Sequence, residues 1–208
     1  MTSGDTPLAL AITGASGAAY ALRLLEILLQ LEQRVDLMVS APGQIVIDME
    51  TGLKLPGQTG GIQRVLAEKY RAAEGQLRVF GREEWTAPVA SGSSAPRAMV
   101  VCPCTTGTLA GIAAGTSQNL IERAADVAIK EGRKLILVPR ETPFSALHLE
   151  NMLKLARLGV VILPPNPGFY QQPESIDDLV DFVVARILDQ LGIDNELSPR
   201  WGAGPDGR

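Results

Sequence analysis

The sequence predicts a doubly wound α/β fold, a parallel sheet with helices on both faces, folded as a single domain. Three observations point there. Short runs of Leu, Ile, Val and Ala alternate with helical stretches along nearly the whole chain. Each run is almost continuously apolar, as strands covered on both faces are. Two of the runs end in turns rich in Gly, Ser and Thr that lead straight into a helix, and strand ends of this kind carry the ligand sites of such sheets.

In chain order, the expected strands are Leu8–Thr13, Val35–Ser40, a weaker one at Leu77–Phe80, Ala98–Cys102, Leu135–Val138 and Val160–Leu163. A helix is expected over Gly17–Gln33, where Arg23, Glu26, Gln30 and Gln33 form a polar stripe beside a broad apolar face. Further helices are expected at Ala41–Glu50, Ile62–Ala72, Thr108–Gly115, Asn119–Glu131, Ser145–Leu158 and Ser175–Leu191. Ser175 is a natural N-cap, with Asp177 and Asp178 in the first turn and Gly192 past the end. Residues 1–192 are expected to form the domain, and residues 193–208 a polar tail partly docked through Trp201.

Composition narrows the function classes. At 208 residues and 46% hydrophobic, the chain is long enough for one sizeable core and too apolar to be disordered. Its net charge of −4 argues against a general nucleic-acid binder. The apolar runs are too short to cross a bilayer, and the first residues carry Asp5 but no Lys or Arg, so no secretory leader is expected. Cys102 and Cys104, spaced C-x-C, exclude a disulfide framework, and with His148 as the single imidazole a Cys/His zinc site lacks ligands. A reduced, cytoplasmic protein is expected, with no metal. Arginine far outnumbers lysine, which suits phosphate or carboxylate recognition as well as ordinary surface pairing.

Several segments carry chemistry. The first strand runs into Thr13-Gly14-Ala15-Ser16-Gly17-Ala18, where free backbone N–H groups and a helix dipole make an anion site or simply a tight turn. It is neither G-x-G-x-x-G nor a P-loop. A second such turn, Cys102-Pro103-Cys104-Thr105-Thr106-Gly107-Thr108, offers three hydroxyls, which ligand binding and turn capping explain equally. Arg140-Glu141 at a strand's carboxyl end reads as an anion contact with a proton donor or acceptor beside it, or as a structural pair. Arg123 and Lys130 lie seven apart and share a helix face, either gripping a phosphate or solvated. Arg186 is placed to pair with Asp189 along a helix. His148 reads as a packed or capping residue. Ser91-Gly92-Ser93-Ser94 reads as a lid or a linker.

Taken together, GASGAAYALRLLEIL, SGSSAP, VVCPCTTGTLAGIA, the long stretch from NLIERAADVAIK to LDQLGI, and the late PRW resemble the UbiX-type flavin prenyltransferases. The resemblance runs from about Leu8 to Trp201. It implies a Rossmann-like (flavodoxin-like) flavin-binding subunit and a metal-independent reaction: transfer of a dimethylallyl group from dimethylallyl monophosphate to N5 and C6 of reduced FMN. The product, prenylated FMN, would serve a UbiD-type decarboxylase. The resemblance places FMN contacts at Gly14, Ala15, Ser16, Ser40, Thr105, Thr106, Gly107, Thr108 and Arg140. It places the prenyl-phosphate site at Tyr170 and Arg186, with Arg123, Lys130, Arg140 and Glu141 nearby. Ser16, Glu50, Lys130 and Glu141 would take part in catalysis, and Trp85 and Trp201 would wall the prenyl chain. A homo-oligomer is implied, a dodecamer with sites completed between subunits, and the broad apolar face of Gly17–Gln33 fits an oligomer. The chain departs from the family at Cys104-Thr105, where other members carry Ser at the second position; the hydroxyl is kept. Two rival readings differ in class. A flavin-dependent decarboxylase acting directly would carry an early His and an Asn-containing turn, which this chain lacks. A non-catalytic FMN carrier would not need a second phosphate site.

Overall fold

The computed structural model describes residues 6–198. The strands are β1 (Leu8–Ile12), β2 (Val35–Val39), β3 (Leu77–Phe80), β4 (Ala98–Cys104), β5 (Lys134–Pro139) and β6 (Val161–Ile162). All pair in parallel, in the order β3-β2-β1-β4-β5-β6. The helices are α1 (Ala18–Gln30), α2 (Ala41–Thr51), α3 (Thr59–Tyr70), α4 (Thr106–Ala114), α5 (Leu120–Lys130), α6 (Ala146–Arg157) and α7 (Ile176–Leu191). The doubly wound parallel sheet expected from the sequence is therefore the observed fold.

The period of two along β1 divides the core. Leu8, Leu10 and Ile12 face a layer built from α1, α3 and α7, whereas Ala9 and Ala11 face α4, α5 and α6. The second layer mixes Leu, Ile and Met with many small side chains, Ala113, Ala124, Ala125 and Ala128 among them. This is how a chain poor in aromatics fills its interior.

The strand order sets the site. From β1 the chain moves outward through β2 and β3, then returns to the other side of β1 as β4. Adjacent strands β1 and β4 thus send their following loops to opposite faces, and a crevice opens between their carboxyl ends.

Some boundaries move. β4 continues through Pro103 to Cys104, with all seven residues buried. α1 stops at Gln30 rather than Gln33, because Glu32 adopts a positive φ of 56° and turns the chain. α3 starts at Thr59 and α4 at Thr106, both earlier than the apolar periodicity indicates. The apolar face of α1 is spent inside the subunit: Ala18, Ala21, Leu22, Leu24, Leu25, Ile27, Leu28 and Leu29 are all buried. It therefore does not supply a surface for association. Its polar stripe is also engaged, since Arg23 donates to Asp181 on α7 at 2.7 and 3.0 Å and to Glu26 at 2.9 Å. Beyond α7, Ile193 and Leu197 pack against the core. Trp201 lies outside the described residues.

Candidate active site

Three helix N-termini meet at the crevice. Ser40 follows β2 and caps α2, its Oγ accepting from the Gly43 N–H at 3.0 Å. Thr105 follows β4 and caps α4, its Oγ1 accepting from the Thr108 N–H at 3.1 Å. Asn119 caps α5 by accepting from the Glu122 N–H at 3.0 Å. Ser40, Thr105, Thr108 and Asn119 line one cleft of about 230 Å³, together with Thr13, Gly14, Met38, Phe80 and Arg82. Its floor combines apolar side chains with hydroxyls at positive dipole ends. That donor set fits a flat aromatic ring carrying an anionic tail.

Thr13 joins the two turns that the sequence marks. Its hydroxyl donates to the Pro103 carbonyl at 2.7 Å and accepts from the Thr105 N–H at 2.8 Å. The side chain is buried, so no water substitutes for these bonds. Gly14, which also lines the cleft, is required for packing: a Cβ there would lie 2.3 Å from Cβ of Pro42, in the first turn of α2.

The anion site foreseen at the start of α1 is filled from within the chain. Glu50, at the end of α2, accepts from the Gly17 N–H at 3.0 and 3.1 Å and from the Ala18 N–H at 2.8 Å. Gly17, the N-cap residue, has a φ of 115° and no side chain to cap with. Ala15 and Ser16 lie half-buried in the same turn. Tyr20, one turn into α1, lies within electrostatic reach of both Glu50 and Arg140; burial pushes its hydroxyl above the ordinary tyrosine range.

A second hollow opens beyond β5. Arg140 and Glu141 line it with Pro164 and Asn166. Pro164 and Asn166 also border a neighbouring hollow lined by Phe182 and Arg186. The Arg140 N–H donates to the Cys104 carbonyl at 3.3 Å, which sets this hollow directly beside the Thr105 turn. The Tyr170 ring meets Phe182 edge-on at 5.9 Å. Gly168 permits this, because a Cβ there would come within 2.7 Å of the Tyr170 ring and 2.8 Å of Phe182. Arg186 pairs with Asp189 at 2.7 Å, as its helical spacing allows.

Arg123 and Lys130 lie elsewhere on the subunit. Arg123 donates to the Ala90 carbonyl at 3.2 Å and pairs with Asp126 at 2.9 Å. Lys130 pairs with Glu131, and both approach Gly92 in the Ser91–Ser94 segment. Thus Arg140 and Glu141 line one hollow, Arg186 lines its neighbour and Tyr170 meets the Phe182 of that neighbour, whereas Arg123 and Lys130 bind down the segment that precedes β4. Trp85 is 49% exposed between β3 and β4. His148 is a capping residue: its Nδ1 accepts from the Ser145 N–H at 3.2 Å. Cys102 and Cys104 are free and buried.

A flavoprotein family model matches residues 2–188. A flavin prenyltransferase UbiX of Pseudomonas aeruginosa is 60% identical over 200 residues, covering 96% of each chain. The chain belongs to the UbiX flavin prenyltransferase family. A second UbiX relative, from Halalkalibacterium halodurans, is 49% identical over 92% of this chain and 91% of its own length. Among solved structures, AnUbiX (PadA1) in complex with FMN and dimethylallyl pyrophosphate superposes with a TM-score of 0.84 at 39% identity, over 94% of this chain and 97% of that one. A dodecameric FMN-dependent UbiX-like decarboxylase from Escherichia coli O157:H7 gives 0.83 at 41% identity, over 94% and 98%. The cleft and hollow described above therefore belong to a UbiX-family subunit. Thr13, Tyr20, Asn119 and Glu122 are absent from the set that motif reading selects. The partners of Thr13 and Tyr20 lie on distant segments, so only the tertiary structure reveals them, whereas Asn119 and Glu122 bond each other and Thr116 and Gln118 close by in the chain.

Proposed function

We propose that this UbiX-family protein joins a dimethylallyl group from dimethylallyl monophosphate to N5 and C6 of reduced FMN, releasing inorganic phosphate. The prenylated FMN would pass to a UbiD-type decarboxylase in the cytoplasm. The observation that carries this reading is the adjacency of two kinds of site: a hydroxyl-lined cleft at three helix N-termini, and arginine-bearing hollows beyond β5. A protein that only held FMN would need the first alone.

In this reading, Ser40 and the Thr105–Thr108 turn hold the flavin phosphate, and Gly14, Ala15 and Ser16 edge the ring. Reduced FMN supplies the nucleophilic ring atoms. Arg186 and Arg140 stabilise the departing phosphate, and Tyr170 donates a hydrogen bond to it. Glu141 and Glu50 serve as proton acceptors, with Ser16 as a relay. Trp85 walls the allyl group, whose developing positive charge an aromatic face stabilises.

Assembly follows from the same chemistry. An allylic cation must be kept from water. In the single subunit Trp85, Lys130, Arg140, Tyr170 and Arg186 are all exposed. Large apolar residues are exposed too, including Phe169 at 71%, Met49 at 80% and Leu147 at 69%. Neighbouring subunits would cover this surface and bring Arg123 and Lys130 of one copy to Tyr170 and Arg186 of another. The dodecameric relative supports this arrangement. The test is release of inorganic phosphate from dimethylallyl monophosphate. It should require reduced FMN and match it mole for mole. Release without flavin, or carbon dioxide evolved from an aromatic acid instead, would overturn the reading.

A further inference from the structure

Among the described residues two carboxylates are buried, Asp36 and Glu122. Asp36 is matched by Arg78, which donates to it at 2.7 and 2.8 Å. Glu122 is held by neutral donors instead. Its Oε2 accepts from the Thr116 hydroxyl at 2.8 Å and from the Gln118 N–H at 2.9 Å, and its Oε1 accepts from Nδ2 of Asn119 at 2.8 Å. α4 is cut away to admit it: a Cβ on Gly111 would lie 2.7 Å from the Glu122 carboxyl carbon. An apolar side chain would fill this place without the cost of burying a charge. The charge fixes the turn that joins α4 to α5.

That turn forms one wall of the flavin cleft. Asn119, Leu120 and Ile121 line it, and the Leu120 N–H donates to the Arg82 carbonyl at 2.8 Å, which ties the Gly81–Arg82 wall segment to the same anchor. The Asn119 amide is used at both ends: its Oδ1 caps α5 while its Nδ2 donates to Glu122. Only a group that accepts on both oxygens allows this. A glutamine at position 122 sets an NH2 either against the Asn119 NH2 or against the Thr116 and Gln118 donors. The asparagine amide then turns over and loses the cap, or the turn opens.

We infer that Glu122 is a positioning residue for the flavin cleft, fixing the Asn119 amide and, through it, the wall made by residues 119–121 and Gly81–Arg82. The inference rests on the flavin reading of that cleft. The test is titration of FMN into wild-type protein and variants, followed by flavin fluorescence, with thermal melting alongside. Glu122→Gln is expected to weaken FMN binding about tenfold, the effect of one unsatisfied buried hydrogen bond. Gly111→Ala, which pushes the carboxylate from its seat, should do the same. Leu66→Ala, a cavity in α3 on the opposite face, controls for lost stability and should bind as wild type does. The double variant Glu122→Gln/Asn119→Asp restores an acceptor at each contact and should recover most of the affinity. Wild-type FMN affinity in Glu122→Gln, or no recovery in the double variant, would overturn the inference. A wild-type protein that fails to bind FMN would overturn the flavin reading instead.

Discussion

The Glu50 carboxylate caps α1 through the backbone of Gly17, 33 residues earlier in the chain, with N···O distances of 3.0 and 3.1 Å. A residue expected to serve catalysis is thereby also the anion at a helix N-terminus. Its seat fixes where α2 ends relative to the β1–α1 turn, the turn that carries Ser16.

Glu50→Gln keeps one acceptor and loses the charge. We predict a small stability loss, about 0.5–1 kcal/mol in urea denaturation, together with a much larger fall in kcat at unchanged FMN affinity. Turnover at the wild-type rate would leave Glu50 with the capping role alone.

Thr13→Val removes a buried hydroxyl while keeping the side chain's shape. The Pro103 carbonyl and Thr105 N–H then lose their partner. Destabilisation of about 1–3 kcal/mol is expected, with weaker flavin binding because the Thr105 turn is released. Thr13→Ser should largely restore both. Unchanged stability in Thr13→Val would mean that the two turns are held by other contacts.

Much of the fold is legible in the sequence because burial on both sheet faces leaves a local trace, a continuous apolar run such as Leu8–Ile12 or Leu135–Val138. Boundaries are less legible. β4 reaches Cys104 through Pro103 because pairing with Pro139 on β5 continues there, and no local pattern announces that. The candidate site divides the same way. Ser40 and Thr105 are visible as capping residues between a strand and a helix. The engagement of Glu50 with Gly17, of Thr13 with Pro103, and of α1 with its own core depends on segments far apart in sequence. Glu122 sits in plain view within a helical stretch and reads there as an ordinary solvated charge.

The two thiols give a pH prediction. Burial pushes Cys104 up to about 12, and Cys102 higher still with Cys104 adding to the effect. In the unfolded chain a cysteine ionises near its ordinary value of about 8.5. Above that value the unfolded state loses protons that the folded state keeps, so folding stability falls as pH rises from about 8.5 toward 12. It is fully retained below that window. Native protein should resist thiol reagents at pH 8 and react at two sites per chain once unfolded. Rapid labelling of the folded protein would contradict the buried placement.

Shared sites predict complementation. Lys130→Ala and Arg186→Ala should each be inactive or nearly so as pure assemblies. Subunits dissociated, mixed and reassembled should regain activity, because some sites then draw an intact Lys130 and an intact Arg186 from different copies. Activity that stays at the level of the parent variants would place both residues in one subunit's site.

The central claim is tested most directly by the mass of the flavin. Purified protein would be mixed under anaerobic conditions with reduced FMN and dimethylallyl monophosphate, and the released flavin weighed by mass spectrometry, with the diphosphate donor run in parallel. A flavin heavier by one five-carbon prenyl unit is expected with the monophosphate. Unmodified FMN with both donors, from protein that demonstrably binds flavin, would contradict it.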